Sequence, residues 1–132
     1  MVAVQRGDVV VANLDPTLGV EIKKTRPVIV LSNDSLNRWS QLAVVVPLTK
    51  NTAQLSPSHT VIPKGVARLT FTSKAVTEQI KAVDKRRLVK RLGSLPPELL
   101  AQVEQALEEH SRAVMKPEDL LRAGSFMPHW IT

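Results

Sequence analysis

The apolar runs of this sequence are short, which limits what the chain can fold into. The longest, residues 42–48, is interrupted by Pro47. A transmembrane helix needs about 20 consecutive apolar residues, so we expect no membrane span. Short runs rich in β-branched side chains, bounded by polar turns, are typical of strands. The sequence therefore predicts a chain built mainly of short strands that has no membrane partner.

The strand predictions follow these runs. The first strand is predicted at residues 9–12, the second at 27–32 and the third at 41–48, with weaker strands at 60–62, 67–71, 78–83 and 88–92. Pro47 has no N–H to donate, which predicts an edge strand or a strand end there. The polar residues 33–40 predict a loop with one helical turn.

One clear helix closes the predicted fold. Pro97 and Glu98 suit a first helical turn, and apolar residues recur at helical spacing through about residue 114. We therefore expect one domain over residues 1–114, a small and strongly bent antiparallel barrel with a C-terminal helix. The tail, residues 115–132, suits a short helix over residues 117–123 followed by a disordered end.

Charge is unevenly distributed along the chain, whose formal net charge is +6. Residues 1–95 carry a net +9 and residues 96–132 a net −3. A basic body suggests a polyanionic partner, nucleic acid first. With 3% aromatic residues, a single-strand binder built on stacking platforms is not expected. The absence of cysteine and of a signal peptide fits the cytoplasm.

Common cofactor and metal patterns are missing from the sequence. The three histidines are scattered, and none has a ligand partner at metal-binding spacing. The five glycines form no phosphate-binding loop, and no nucleophile elbow is present. We therefore expect neither a metal nor a cofactor.

Two polar residues flank neighbouring predicted strands. If the second and third strands pair, Arg26 before one and Thr49 after the other lie at the same rim. An arginine and a hydroxyl in a basic field could stabilise the phosphorane formed when an RNA 2′-hydroxyl attacks its phosphate. A solvated arginine and a turn-capping threonine explain the same pattern. Spacing alone favours that simpler interpretation.

Four segments in order carry a family resemblance. The first segment consists of residues 6–10 together with residues 14–21. The second is residues 24–33, Lys-Thr-Arg-Pro-Val-Ile-Val-Leu-Ser-Asn, and the third is residues 46–49, Val-Pro-Leu-Thr. The fourth segment is residues 78–88, Glu-Gln-Ile-Lys-Ala-Val-Asp-Lys-Arg-Arg-Leu. Together they resemble the MazF/PemK/Kid family of bacterial toxin endoribonucleases over about residues 5–110. The tail beyond about residue 115 exceeds that resemblance.

The resemblance implies a fold, an activity and partners. The fold is an SH3-like antiparallel barrel of the CcdB/PemK-like kind, assembled as a homodimer. The activity is sequence-specific cleavage of single-stranded RNA (mRNA) without a metal, leaving a 2′,3′-cyclic phosphate and a 5′-hydroxyl. A cognate antitoxin protein would block this toxin, and the toxin–antitoxin complex would bind operator DNA.

The resemblance also assigns candidate roles to residues. Arg26 and Thr49 match the family's catalytic arginine and threonine. Arg26 would stabilise the phosphorane and protonate the leaving oxygen, and Thr49 would hydrogen-bond the phosphate. The expected substrate contacts are Glu21, which is also a candidate general base, Lys23, Lys24, Ser73 and Gln79.

Two alternative functions remain open from the sequence. CcdB-like toxins share the barrel but poison DNA gyrase through C-terminal aromatic and apolar residues, and Trp130-Ile131-Thr132 resembles that ending weakly. The other alternative is a non-catalytic module that binds nucleic acid or an antitoxin. The Arg26 and Thr49 pair favours RNA cleavage over both.

Overall fold

The computed structural model describes residues 2–14 and 25–114, with side chains as far as residue 111. The predicted site residues Glu21, Lys23 and Lys24 lie outside the described residues, and so does the predicted tail, residues 115–132.

Antiparallel strands form most of the described structure. The strands are β1 (Asp8–Asn13), β2 (Thr25–Val30), β3 (Leu42–Thr49), β4 (His59–Ile62), β5 (Ser73–Val76), β6 (Lys81–Asp84) and β7 (Leu88–Ser94). The α-helices are α1 (Asp34–Trp39) and α2 (Pro97–Val114), and 3-10 helices occupy Val66–Arg68, Thr77–Gln79 and Lys85–Arg87. None of the described helices is long and apolar enough to cross a membrane.

The strands form one sheet in the order β4-β5-β3-β2-β1-β7. Strand β6 also pairs with β3, along the same edge of β3 as β5. Register shifts at two places between β1 and β7 bend that part of the sheet. The described strands leave the sheet open between β4 and β7. A mainly antiparallel, barrel-like fold with a C-terminal helix is thus confirmed.

Pro47 lies in the middle of the sheet, so its predicted place on an edge strand or at a strand end is wrong. On one edge of β3, Pro47 is opposite Val28 of β2. On the other edge, β6 pairs with residues 42–45 and β5 with residues 48–49. Pro47 therefore occupies the gap between β6 and β5, where the second edge of β3 needs no ladder hydrogen bond.

The sheet buries apolar side chains on both faces, which explains the unbroken apolar run of β2. Alternate residues point to opposite faces, so Ile29 joins the cluster that α2 covers, while Val28 and Val30 join the other. Val103 and Leu107 pack α2 onto the first cluster. Both clusters have members that are fully buried.

An ion pair also fixes α2 to the start of the chain. Arg6 Nη2 lies 2.8 Å from Glu104 Oε1, and Arg6 Nε donates to the same oxygen at 3.2 Å. The helix predicted through about residue 114 is confirmed, with its buried face formed by Val103, Ala106 and Leu107.

The strand predicted at residues 67–71 is wrong. Ala67 and Arg68 have φ angles of 49° and 61°, in the left-handed region, and belong to a 3-10 helix. The turn buries Leu69 in the core, which gives this segment its apolar character. Tertiary packing overrides the local β pattern here.

The strand predicted at residues 78–83 is shorter than expected and begins at Lys81, because Thr77–Gln79 is a 3-10 helix. Strand β5 was not predicted. Its sequence, Ser-Lys-Ala-Val, is too short and too mixed to stand out as a strand.

Gly93 leaves room for the backbone of the 3-10 helix at Val66–Arg68. A Cβ added at Gly93 would lie 2.9 Å from the Cα atom of Ala67, and real Cβ atoms do not approach a backbone atom that closely. The two segments touch through backbone, so neither can move aside as a side chain would. Only glycine fits this position of β7 without a shift of the chain.

We predict that Gly93→Ala lowers the free energy of unfolding by about 1–3 kcal/mol, because overpacking forces the backbone to shift. Val89→Ala is the control, since Val89 is on the same strand and 56% exposed. Urea unfolding of both variants, at equal protein concentration, measures the effect. An unchanged urea midpoint for Gly93→Ala would contradict this prediction, because it would mean that the backbone at Ala67 shifts without loss of stability.

Candidate active site

Arg26 and Thr49 lie just beyond the paired segments of two central strands, β2 and β3. The observed register between β2 and β3 ends with Val28 opposite Pro47. Continued by two residues, the same register brings Arg26 opposite Thr49. Arg26 is exposed and Thr49 half-buried. Both residues therefore lie at the same end of the β2–β3 ladder, two residues beyond its last pair.

Their side chains have few intramolecular partners. The Thr49 hydroxyl oxygen accepts a hydrogen bond of 3.3 Å from the backbone N–H of Asn51. Because that bond uses an oxygen lone pair, the hydroxyl hydrogen remains available to a ligand. Within residues 2–14 and 25–114, no hydrogen bond or ion pair engages the Arg26 guanidinium. Five N–H donors are therefore available at an exposed position.

Lys74 belongs to the same row of residues. It is opposite Thr49 in the register of β3 and β5, and residues opposite each other on paired strands share a face of the sheet. Its ammonium donates to the carbonyl oxygen of Gln54 at 2.6 Å. With the register of β2 and β3 continued by two residues, Arg26, Thr49 and Lys74 form a row with two cations flanking a hydroxyl. Such a row suits a phosphate group.

Ser73 and Gln79 are positioned differently from this row. Ser73 precedes Lys74 on β5, so it points to the opposite face, where it is buried and donates to the carbonyl oxygen of Phe71 at 3.0 Å. Gln79 is exposed at the end of the 3-10 helix that contacts β3. The structure therefore holds Ser73 away from the face of Arg26 and leaves Gln79 accessible near β3.

His59 and Glu78 form a hydrogen-bonded pair beside these elements. His59 Nε2 lies 2.7 Å from Glu78 Oε1, and Ser58 Oγ lies 3.3 Å from Glu78 Oε2. Partial burial raises the pKa of Glu78, but hydrogen bonds from His59, the backbone and Ser58, together with the charge that His59 carries when both its ring nitrogens are protonated, lower it more. The net pKa lies below the ordinary value of 4.5, so Glu78 is ionised at neutral pH.

Metal ligation has no candidate in the described part of the chain. Across residues 2–14 and 25–114, no group of three or more His, Asp or Glu side chains could hold a metal ion.

Sequence patterns gave no signal for Lys74 or for the His59–Glu78 pair. Lys74 joins the site through the register of a strand that was not predicted. His59 follows a polar stretch of the sequence, and its partner is 19 residues away. The observed pairing of β4 with β5 puts His59 opposite Val76, two residues before Glu78. Had this strand pair been predicted, it would have suggested that His59 and Glu78 lie close together.

Solved structures share this fold. An endoribonuclease from a mycobacterial species, in complex with its cognate antitoxin, aligns with a TM-score of 0.69 over 87% of this chain and 100% of its own, at 23% identity. MazF from Deinococcus radiodurans aligns with a TM-score of 0.69 over 84% of this chain and 98% of its own, also at 23% identity. The architecture is that of the MazF toxins.

Sequence comparison identifies the family. A family profile described as PemK-like, MazF-like toxin of type II toxin–antitoxin system matches residues 5–111. The endoribonuclease MazF of Staphylococcus epidermidis is 36% identical over 107 residues, which are 80% of this chain and 88% of that protein. The chain belongs to this family of PemK-like and MazF-like toxins, and the family predicted from the sequence is confirmed.

We predict that His59→Ala raises the pKa of Glu78 toward 4.5, because the largest of the influences that lower it is lost. A lowered pKa stabilises the folded state above pH 4.5, and this stabilisation is lost as the pH falls through the folded value. NMR titration of the Glu78 carboxyl carbon in both proteins measures the shift. A carboxyl that titrates alike in both would mean that His59 has no electrostatic effect on it.

Proposed function

We propose that the face carrying Arg26 and Thr49 is the active site at which this chain cleaves single-stranded RNA without a metal ion. Membership of the family makes the chain a MazF-like toxin endoribonuclease of a toxin–antitoxin system. The site, the strandedness of the RNA and the cleavage products are our proposal. The observation that carries it is the register of β2 and β3, whose last pair is Val28 and Pro47 and whose continuation by two residues brings Arg26 opposite Thr49.

The proposed reaction is attack of the RNA 2′-hydroxyl on the adjacent phosphorus. The bond from phosphorus to the 5′-oxygen breaks, which leaves a 2′,3′-cyclic phosphate and a 5′-hydroxyl. A base removes the proton of the 2′-hydroxyl, and the departing 5′-oxygen gains one. The nucleophile is part of the substrate, so the protein has to supply charge stabilisation and proton transfer.

Arg26 supplies the charge stabilisation in this proposal. Its planar guanidinium can donate two parallel hydrogen bonds to phosphorane oxygens, which a lysine cannot do. Arg26 is also the proposed proton donor to the leaving oxygen. Thr49 donates its hydroxyl hydrogen to a phosphate oxygen, since its lone pair already accepts from Asn51. Lys74 adds positive charge on the same face.

Other predicted contacts complete the proposal. Gln79 is accessible and contacts the RNA beside the scissile phosphate. Glu21 is the proposed base, and Lys23 and Lys24 add phosphate affinity that other cations could supply. Ser73 acts indirectly through the carbonyl oxygen of Phe71, because its own hydroxyl is buried on the other side of the sheet.

The proposed biological setting follows the relatives. The mycobacterial neighbour was solved with its cognate antitoxin. We propose that this chain is likewise a cytoplasmic homodimer, blocked by a cognate antitoxin, and that the complex binds operator DNA. The basic charge of residues 1–95 suits an acidic inhibitory segment as well as RNA.

Neither alternative function gains support from the described residues. The gyrase-poison hypothesis depended on residues 130–132, which lie outside them, and the matching family profile is that of PemK-like and MazF-like toxins. The non-catalytic module gives no role to Thr49 or to Arg26, whose guanidinium has no hydrogen bond or ion pair within residues 2–14 and 25–114. RNA cleavage uses both residues.

We predict that the purified chain cuts mixed-sequence single-stranded RNA in the presence of EDTA. End mapping should find 2′,3′-cyclic phosphates and 5′-hydroxyls at a short preferred sequence. An RNA with one 2′-deoxynucleotide at the scissile position should resist cleavage there, because the nucleophile is missing. Cleavage of that RNA, or products with 5′-phosphates, would contradict the proposed reaction.

We predict that Arg26→Lys lowers kcat by about 10²–10³-fold, because the bidentate donors to the transition state are lost. Thr49→Ser should keep most of the activity, whereas Thr49→Val should lose it while preserving the side-chain shape. Lys90→Ala is the charge control, since Lys90 is exposed on β7. Rate measurements at saturating RNA test this, and an active Arg26→Lys variant would refute the site.

A further inference from the structure

The connection between β3 and β4, residues 50–58, starts directly after Thr49 and is held to β5 and to the 3-10 helix that follows it. We call it loop 50–58. Lys74 Nζ donates to the carbonyl oxygen of Gln54 at 2.6 Å, and the Thr77 hydroxyl donates to that of Ser58. Thr77 is fully buried, so this second anchor is out of solvent. Loop 50–58 is therefore fixed at its middle and at its end.

His59 adds a third anchor and uses both ring nitrogens. The backbone N–H of Ser56 donates to Nδ1 at 3.1 Å, and Nε2 lies 2.7 Å from Glu78 Oε1. A backbone N–H can only donate, so Nδ1 carries no proton and Nε2–H donates to the carboxylate. The side chain of His59 is 11% exposed. Neither nitrogen is free to exchange a proton with a substrate.

This pair joins two segments that the proposed function assigns to RNA. Loop 50–58 extends from Thr49, the proposed phosphate contact, and Glu78 immediately precedes Gln79, the proposed contact beside the scissile phosphate. A hydrogen bond from His59 to Glu78 thus fixes the position of loop 50–58 relative to Gln79. Loop 50–58 begins next to Thr49, which pairs with Lys74, and the 3-10 helix that ends at Gln79 contacts β3.

We propose that His59 and Glu78 are positioning residues, which hold loop 50–58 and Gln79 in the arrangement that selects the RNA sequence around the cut. This inference rests on the proposed function and deepens it. His59 acts through hydrogen bonds to Ser56 and Glu78 and transfers no proton. Because loop 50–58 is already ordered in the folded protein, RNA binding carries no further entropic cost of ordering it.

The test measures the kinetics, the cleavage sites and the hydrogen exchange of the Ser56 amide in the full chain. The RNA is a single-stranded oligonucleotide that contains the preferred site found by end mapping. His59→Ala should raise KM about tenfold and keep kcat within about twofold, because the hydrogen bonds that order the loop are lost while Arg26 and Thr49 stay on their strands. Additional cleavage sites should appear, and Ser56 should exchange faster.

Variants of Glu78 separate the hydrogen bond from the charge. Glu78→Gln keeps an acceptor for His59 Nε2–H, so its KM should stay within about threefold of the wild-type value, whereas Glu78→Ala should match His59→Ala. The double variant should be no worse than either single variant, because both remove one interaction. Additive effects of the two substitutions would overturn the pairing.

Variants of His59 separate its two bonds. His59→Gln places a donor near the position of Nε2, and His59→Asn places an acceptor near that of Nδ1. Each should recover part of the cleavage selectivity that His59→Ala loses. His110→Ala is the matched control on α2, and its KM and cleavage sites should stay unchanged. No recovery by either His59 variant would overturn the proposed bonds.

Two kinetic results would overturn the proposal. A fall in kcat at unchanged KM in His59→Ala would make His59 an acid or base. Unchanged KM and cleavage sites in His59→Ala, with faster Ser56 exchange, would make the pair structural only. Failure of the proposed function has a different signature, since the wild-type chain would then leave the RNA uncut.

Discussion

Strand β3 pairs with three strands, with β2 along one edge and with β6 and β5 in turn along the other. The register of the first pairing, continued by two residues, brings Arg26 opposite Thr49, and the last pairing puts Lys74 beside Thr49. Between β6 and β5 the chain leaves the sheet as the 3-10 helix that ends at Gln79, next to Pro47, which needs no partner there. One strand thus sets the relative positions of the candidate residues, although their positions in sequence differ widely.

The parts of the fold that could be predicted are those whose pattern is local. Strands β1, β2 and β3 are apolar because the sheet is buried on both faces, and α2 shows helical spacing of its buried residues. Residues 66–68 could not be predicted. Their structure depends on Gly93, whose missing side chain admits Ala67 in a left-handed conformation. A contact between segments so distant in sequence leaves no local pattern.

The candidate site, like the fold, has residues that could be predicted from local sequence and residues that could not. Arg26 and Thr49 flank two predicted strands, so the assumption that those strands pair was enough to place them at the same end of the strand pair. Lys74 and the His59–Glu78 pair require the register of β5 with β3 and β4, which no periodicity reveals. For Ser73, resemblance gave the position but not the orientation, since strand alternation turns its hydroxyl into the protein.

In the proposed RNA cleavage, net positive charge provides attraction to RNA, whereas groups held in fixed positions provide selectivity. The basic body attracts any polyanion, and exposed lysines can replace one another in that role. Stacking adds little selectivity, because Trp39 and Phe71 are the aromatic residues of the described part of the chain and Lys50 Nζ lies 4.6 Å from the Phe71 ring centroid. Selectivity must then come from hydrogen-bonding groups held in fixed positions. The bonds of Lys74, Thr77 and Glu78 to residues 54–59 supply that fixation, at the end of β3 where Thr49 lies.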